Sequence, residues 1–252
     1  MPEGPTIVIL KEAVQPFIGK EIRHAEGNTK NIDISNLQGL KIIDFKSWGK
    51  HFLICLPDYT IRVHFMMFGS YLINLRKSMP PRLSLQFSNG ELNLYACSII
   101  RIEESLNKIY DWSADVMNPH WDREKAIQKL KKHPAKLVCD ALLDQHIFSG
   151  VGNIIKNEVL FRIRIHPESA VGLLPSAKLS ELVDEAVKYS FQFLEWKKEF
   201  TLKKHWLAHN KTICPRDHVP FHKKKLGKTM RRSFFCPICQ KLYDSQPINL
   251  FN

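Results

Sequence analysis

The chain has no long apolar run. Its best candidate, Val63 to Ile73, is bounded by Arg62 and Asn74 and falls well short of the ~20 residues that a membrane-spanning helix needs, so a span is not expected. The start, Met-Pro-Glu-Gly-Pro, lacks the basic-then-apolar order of a secretory signal, because Glu3 precedes the apolar Ile7 to Leu10 and Lys11 follows them. Cysteine is scarce. Cys55, Cys97 and Cys139 stand singly among apolar neighbours, as small hydrophobes do, and no structural disulfide is expected. These absences point to a cytoplasmic protein. Acidic residues are also few, 25 Asp+Glu against 37 Lys+Arg for a formal charge of +12, which directs attention to a polyanionic partner, nucleic acid before membrane. With 10% aromatics among 252 residues the chain has ample apolar surface to bury, and wholesale disorder is excluded. There is no internal repeat and no low-complexity tract.

What is present divides into two textures. Ile7, Leu10, Val14 and Phe17 recur at helical steps and Gly19 ends the run, so the chain opens with a short amphipathic helix. Short segments rich in Ile, Leu, Phe and Val follow, at Leu40–Phe45, His51–Leu56, Thr60–Phe65, Ser70–Leu75, Arg82–Phe87, Glu91–Leu94 and Ile99–Ile102. Turn pairs such as Trp48-Gly49, Pro57-Asp58 and Asn89-Gly90 separate them, and the pattern predicts an antiparallel sandwich or barrel. Beyond Asp111 prolines punctuate helical stretches around Lys125–Lys132, Ala135–Leu143, Asn153–Arg162 and Ala177–Trp196. The fold class is therefore α+β, divided into residues 1–118 (β), 119–203 (helical) and 204–245 (a metal-folded ribbon).

Three motifs carry chemistry. Between Lys203 and Arg232 ten Lys/Arg and four His face the single acid Asp217, in a segment too polar to hold an apolar core. Cys214 and the Cys236-Pro-Ile-Cys239 knuckle, about twenty residues apart, have the spacing of a structural zinc ribbon. The fourth ligand is His218, Asp217 or His222; His218 is preferred, because imidazole suits zinc better than a carboxylate does beside thiolates. Gly150-Val-Gly-Asn153 precedes a helix, and its glycines let free N–H groups approach a phosphate. Finally, Pro2 becomes a secondary amine at the N-terminus once Met1 is removed. An α-amino group, with a pKa near ~8, is a competent nucleophile at neutral pH, and Glu3 stands beside it as an acid/base group.

These motifs co-occur with Gly49-Lys50, His64-Phe-Met-Met-Phe-Gly69, Leu142-Leu-Asp-Gln145, Asn157-Glu-Val-Leu-Phe161 and Arg231 five residues before Cys236. In that order they resemble the formamidopyrimidine-DNA glycosylase and endonuclease VIII family along the whole chain. The resemblance implies an N-terminal β-sandwich, a helix-two-turn-helix domain and a zinc-ribbon hairpin, with damaged double-stranded DNA bound between the halves of a monomer. It implies excision of a damaged base followed by β,δ-elimination. Pro2 resembles the nucleophile, Glu3 the acid/base group, and Lys50 the catalytic lysine near the lesion phosphates. Asn153 and Arg231 resemble the phosphate contacts, and Met67 the wedge that fills the gap left by an extruded nucleotide; read alone, Met66 to Phe68 are strand-end core residues and Glu158 a solvated helix residue. Thr6 stands where the family usually has another glutamate. Only about fourteen residues separate Glu199 from Cys214, too few for the long base-capping loop of the oxidised-guanine enzymes, which favours oxidised pyrimidines and ring-opened bases over 8-oxoguanine. Three rivals remain: an oxidised-guanine enzyme of the same family, a non-catalytic zinc-dependent nucleic-acid-binding protein, and a metal-dependent nuclease. The last needs an open metal site and clustered carboxylates, which the sequence does not display.

Overall fold

A computed structural model of the chain describes residues 2–244; Met1, whose removal the sequence reading requires, and residue 245 at the expected end of the ribbon lie outside them. Helix α1 (Gly4–Ala13) starts with Pro5 in its first turn, where a missing N–H costs nothing, and buries Ile7 and Leu10 on one face. It packs on β2 (Asp44–Trp48) and β3 (His51–Cys55). These belong to a six-stranded antiparallel sheet completed by β1 (His24–Glu26), β4 (Thr60–Ile73), β5 (Leu83–Phe87) and β6 (Gly90–Ile102), in the order β1-β5-β6-β4-β3-β2. Four of the segments expected separately are halves of the long strands β4 and β6. A register shift between Phe65 and Ser70 of β4 makes each look like two strands in sequence. The short α2 (Leu106–Ile109) closes this unit at Trp112.

A second unit begins at Ser113, a few residues before the boundary read from the sequence, and includes the ribbon. It contains α3 (Arg123–Lys131), capped by the Asp122 carboxylate accepting from the Lys125 N–H, then α4 (Val138–Leu143), α5 (Asn153–Arg162) and α6 (Ser176–Lys198). Helix α5 is its centre, with every residue from Ile155 to Phe161 buried. A two-stranded antiparallel hairpin, β7 (His222–Leu226) and β8 (Arg231–Phe235), follows. Among the described residues no helix is long and apolar enough to cross a membrane.

Candidate functional site

In the first unit Glu3 occupies the position before α1 in extended conformation (φ −112°, ψ 171°), and its carboxylate does not cap the helix. It is nevertheless only 2% exposed. A carboxylate so buried is costly unless held by partners, and this one flanks the half-buried Pro2. Thr6 is half-buried in the first turn and donates its backbone N–H to the Glu3 carbonyl at 2.9 Å.

Lys50 lies in the two-residue turn joining β2 to β3, where Trp48 pairs with His51 and Gly49 adopts φ +52°. A glycine first in such a turn matches the strand twist. Around it cluster His51, His64, Trp48 and Tyr110: His51 Nδ1 is 3.2 Å from the Tyr110 hydroxyl, the His51 and His64 rings meet edge-on at 5.2 Å, and His64 hydrogen-bonds the Lys50 backbone. Burial first, then the charge of Arg62 and the nearby His64 and Lys50, pushes His51 down to about 3. Both imidazoles are held towards neutrality, leaving Lys50 as the cation of the turn.

Met66, Met67 and Phe68 are 54, 56 and 84% exposed. They are not strand-end core. At this point β4 carries extra residues opposite Ala96, which itself has φ +47°, and the bulge pushes three apolar side chains outward. Gly69 permits it: a Cβ there would lie 2.7 Å from the Phe65 Cβ and 2.9 Å from the Ala96 carbonyl.

In the second unit Asn153 opens α5 and Arg231 opens β8, and the structure binds these two segments together. The Arg232 carbonyl accepts from Asn153 Nδ2 at 3.0 Å, Asn157 Nδ2 at 3.3 Å and Lys156 Nζ at 3.4 Å. Lys156 also donates to the Ser233 hydroxyl at 2.8 Å, and Asn157 Oδ1 accepts the Phe234 N–H. The hairpin's turn is held from α4, where the buried Asp140 carboxylate accepts the N–H groups of Lys228 and Thr229. Glu158, expected to be solvated, has no exposure, and its carboxylate accepts the N–H groups of Leu207, Ala208 and His209 at 2.7–2.9 Å. Burial, with the Lys156 charge beside it, pushes His209 down to about 4. Sequence reading missed Asp140, Lys156 and His209. The one available signal was a lysine, an asparagine and a glutamate inside the otherwise apolar centre of α5.

The ribbon base brings Cys214, Asp217, Cys236 and Cys239 together, with their ligand atoms all within 4.8 Å of one another. His218, the preferred ligand, is corrected to Asp217 in this cluster. His218 is exposed with φ +56°, and His222 lies on β7 against Phe235. Cys214 and Cys239 sulfurs are 3.9 Å apart, close to the ~3.8 Å that two thiolates ~2.3 Å from one tetrahedral zinc would show. Burial and the Asp217 carboxylate push Cys239 up to about 12 and Cys236 in the same direction, so without a cation these two favour the thiol; Cys214 and Cys236 donate to Asp217 at 3.4 and 3.1 Å. A bound cation reverses that preference. Three sulfurs and a carboxylate at this separation fit a closed structural site and leave no position for catalysis.

The sheet unit with Glu3 buried beside Pro2, and the helical unit whose α5 clamps a basic hairpin, correspond to the two domains of a DNA glycosylase. Residues 1–97 match the formamidopyrimidine-DNA glycosylase N-terminal domain and residues 113–201 the formamidopyrimidine-DNA glycosylase H2TH domain. The chain belongs to the formamidopyrimidine-DNA glycosylase and endonuclease VIII family, in its endonuclease VIII-like branch. It is 34% identical to mouse endonuclease 8-like 2 over 99% of both chains. It is also 31% identical to Xenopus laevis endonuclease 8-like 3 over 83% of its own length, but spans only 36% of that larger protein. The fold matches a viral DNA glycosylase (TM-score 0.82, 24% identity, 95% of this chain and 100% of that one). It matches equally Lactococcus lactis formamidopyrimidine-DNA glycosylase bound to DNA with an AP site (TM-score 0.82, 21% identity, 95% and 99%).

Proposed function

We propose that the chain excises oxidised bases from damaged duplex DNA and then cuts the strand, using the Pro2 amine as nucleophile. The observation that carries this reading is Glu3, 2% exposed at the start of α1. Attack of the amine on the sugar C1′ displaces the base with its electron pair, and the proton that the amine loses balances the charge of the departing base; the nitrogen lone pair then breaks the C1′–O4′ bond, O4′ takes a proton from Glu3, and an iminium forms. Glu3 then takes the proton from C2′, the electrons of that C–H bond flow towards the iminium, and the 3′ phosphate departs with its bonding pair. Lys50, beside neutral histidines, supplies positive charge for the lesion phosphates; Asn153 and Arg231 contact phosphates on the other unit; Met67 fills the vacated stack as an apolar wedge needs to, without hydrogen bonds. Zinc, held by Cys214, Asp217, Cys236 and Cys239, would supply folding energy to the ribbon base.

Oxidised pyrimidines are the favoured lesions. The segment between α6 and Cys214 is short and tied to α5 through Glu158, which leaves little chain for a base-covering loop. The test is borohydride reduction on a duplex with an abasic site, followed by peptide mapping. A covalent adduct on Pro2 is expected; an adduct on Lys50, or none, overturns the proposal.

A further inference from the structure

We infer that Lys156 is the positioning residue that sets the spacing between the Asn153 and Arg231 phosphate contacts. The inference rests on the reading of those two residues as DNA contacts. Lysine is almost never fully buried unless it is paired, and Lys156 has no exposure. Its neighbours on α5, Ile155, Val159 and Leu160, are apolar and buried; an apolar side chain of similar length would fill the same volume without the cost of desolvating an amine. The amine goes instead to β8, to the Ser233 hydroxyl and the Arg232 carbonyl.

That carbonyl immediately follows Arg231 along the chain and receives three donors from one face of α5. A carbonyl has two lone pairs, so the three bonds at 3.0–3.4 Å are shared and the strand cannot slide without disturbing all of them. Asn153 gives one of its two amide hydrogens to that carbonyl, which leaves the other for a phosphate oxygen, and its buried Oδ1 has no partner. The first residue of α5 and the first residue of β8 are thereby fixed to one another before DNA arrives. Preorganisation of this kind lowers the ordering cost of binding; it does not touch the reacting atoms. Lys156 therefore acts on DNA affinity and leaves the chemical step alone.

The experiment compares the full chain with Lys156→Met, Ser233→Ala, Arg231→Ala and the Lys156→Met/Arg231→Ala pair. Read-outs are binding to an abasic-site duplex against salt, and kcat and KM for strand cutting. Lys156→Met is expected to weaken binding about tenfold and lower the slope of log K against log salt by about one, with kcat changed by less than about twofold. In the double variant Lys156→Met adds little to Arg231→Ala, because the contact it positions has gone. Ser233→Ala moves in the same direction by less, and carries the test if Lys156→Met does not fold. A normal slope in Lys156→Met beside a reduced slope in Arg231→Ala overturns this inference alone, as do additive losses in the pair. A normal slope in Arg231→Ala overturns the phosphate reading and this inference with it.

Discussion

Replacing Glu158 by glutamine tests how the basic segment before the ribbon is held. Its carboxylate accepts three backbone N–H groups, from Ala208 and His209 on Oε1 and from Leu207 on Oε2. Glutamine keeps one acceptor oxygen. Its best orientation preserves the bonds to Ala208 and His209 and turns an NH2 group onto the Leu207 N–H. A charge-assisted bond contributes about 1.5–3 kcal/mol, and a donor left without an acceptor costs about 1–3 kcal/mol when buried. Leu207 is 36% exposed, so the low end applies and the total is about 3 kcal/mol. For a unit near this size each kcal/mol lowers Tm by about 3 °C, which predicts a fall of about 9 °C. Differential scanning calorimetry measures it, with amide exchange reporting lost protection at Leu207, Ala208 and His209. A Tm within about 2 °C of the parent would refute the claim that this carboxylate organises the segment.

Acid should weaken the second unit through His209: its folded pKa is about 4 against an unfolded 6.5, so the unfolded chain takes up the proton first. Stability is then full above about pH 6.5 and falls by on the order of 3 kcal/mol towards pH 4; His51, at about 3, acts with the same sign in the first unit. Urea melts at pH 7 and pH 4.5 measure the drop, and equal stability at the two values contradicts it. Gly69→Ala should cost about 1–3 kcal/mol, because the added Cβ meets the Ala96 carbonyl at 2.9 Å, and should impair lesion cutting through the Met66–Phe68 bulge; unchanged stability means that the bulge is not strained. Chelation should loosen the Cys214–Cys239 cluster before the sheet unit melts, and metal analysis should find Asp217→Ala depleted and His218→Ala loaded, the reverse result restoring histidine as ligand.

The periodic elements were legible because their signals are local. Asn153–Arg162 was read to the residue, since glycines before it and apolar spacing within it both mark the same helix. The strand count was not, because β4 and β6 are single strands interrupted by a bulge, and a bulge looks like a turn in sequence. The three exposed residues of that bulge illustrate the limit. Their apolar character argues for burial, and only the register shift, set by pairing with residues some thirty positions away, reverses it.

The ligand cluster shows the same conflict within one motif. Donor chemistry ranks histidine above aspartate beside thiolates, which by itself favours His218. Backbone geometry acts first. The knuckle closes through the His218 N–H to the Cys214 carbonyl at 2.9 Å and the Cys214 N–H to the Val219 carbonyl at 2.8 Å. With His218 then at φ +56°, its side chain is left exposed and the residue before it is turned towards the sulfurs. Asp217 stands three residues from Cys214, the separation that a second cysteine has in a Cys-x-x-Cys knuckle such as Cys236 to Cys239. Spacing thus selects which side chain reaches the cluster, and affinity can choose only among those that arrive.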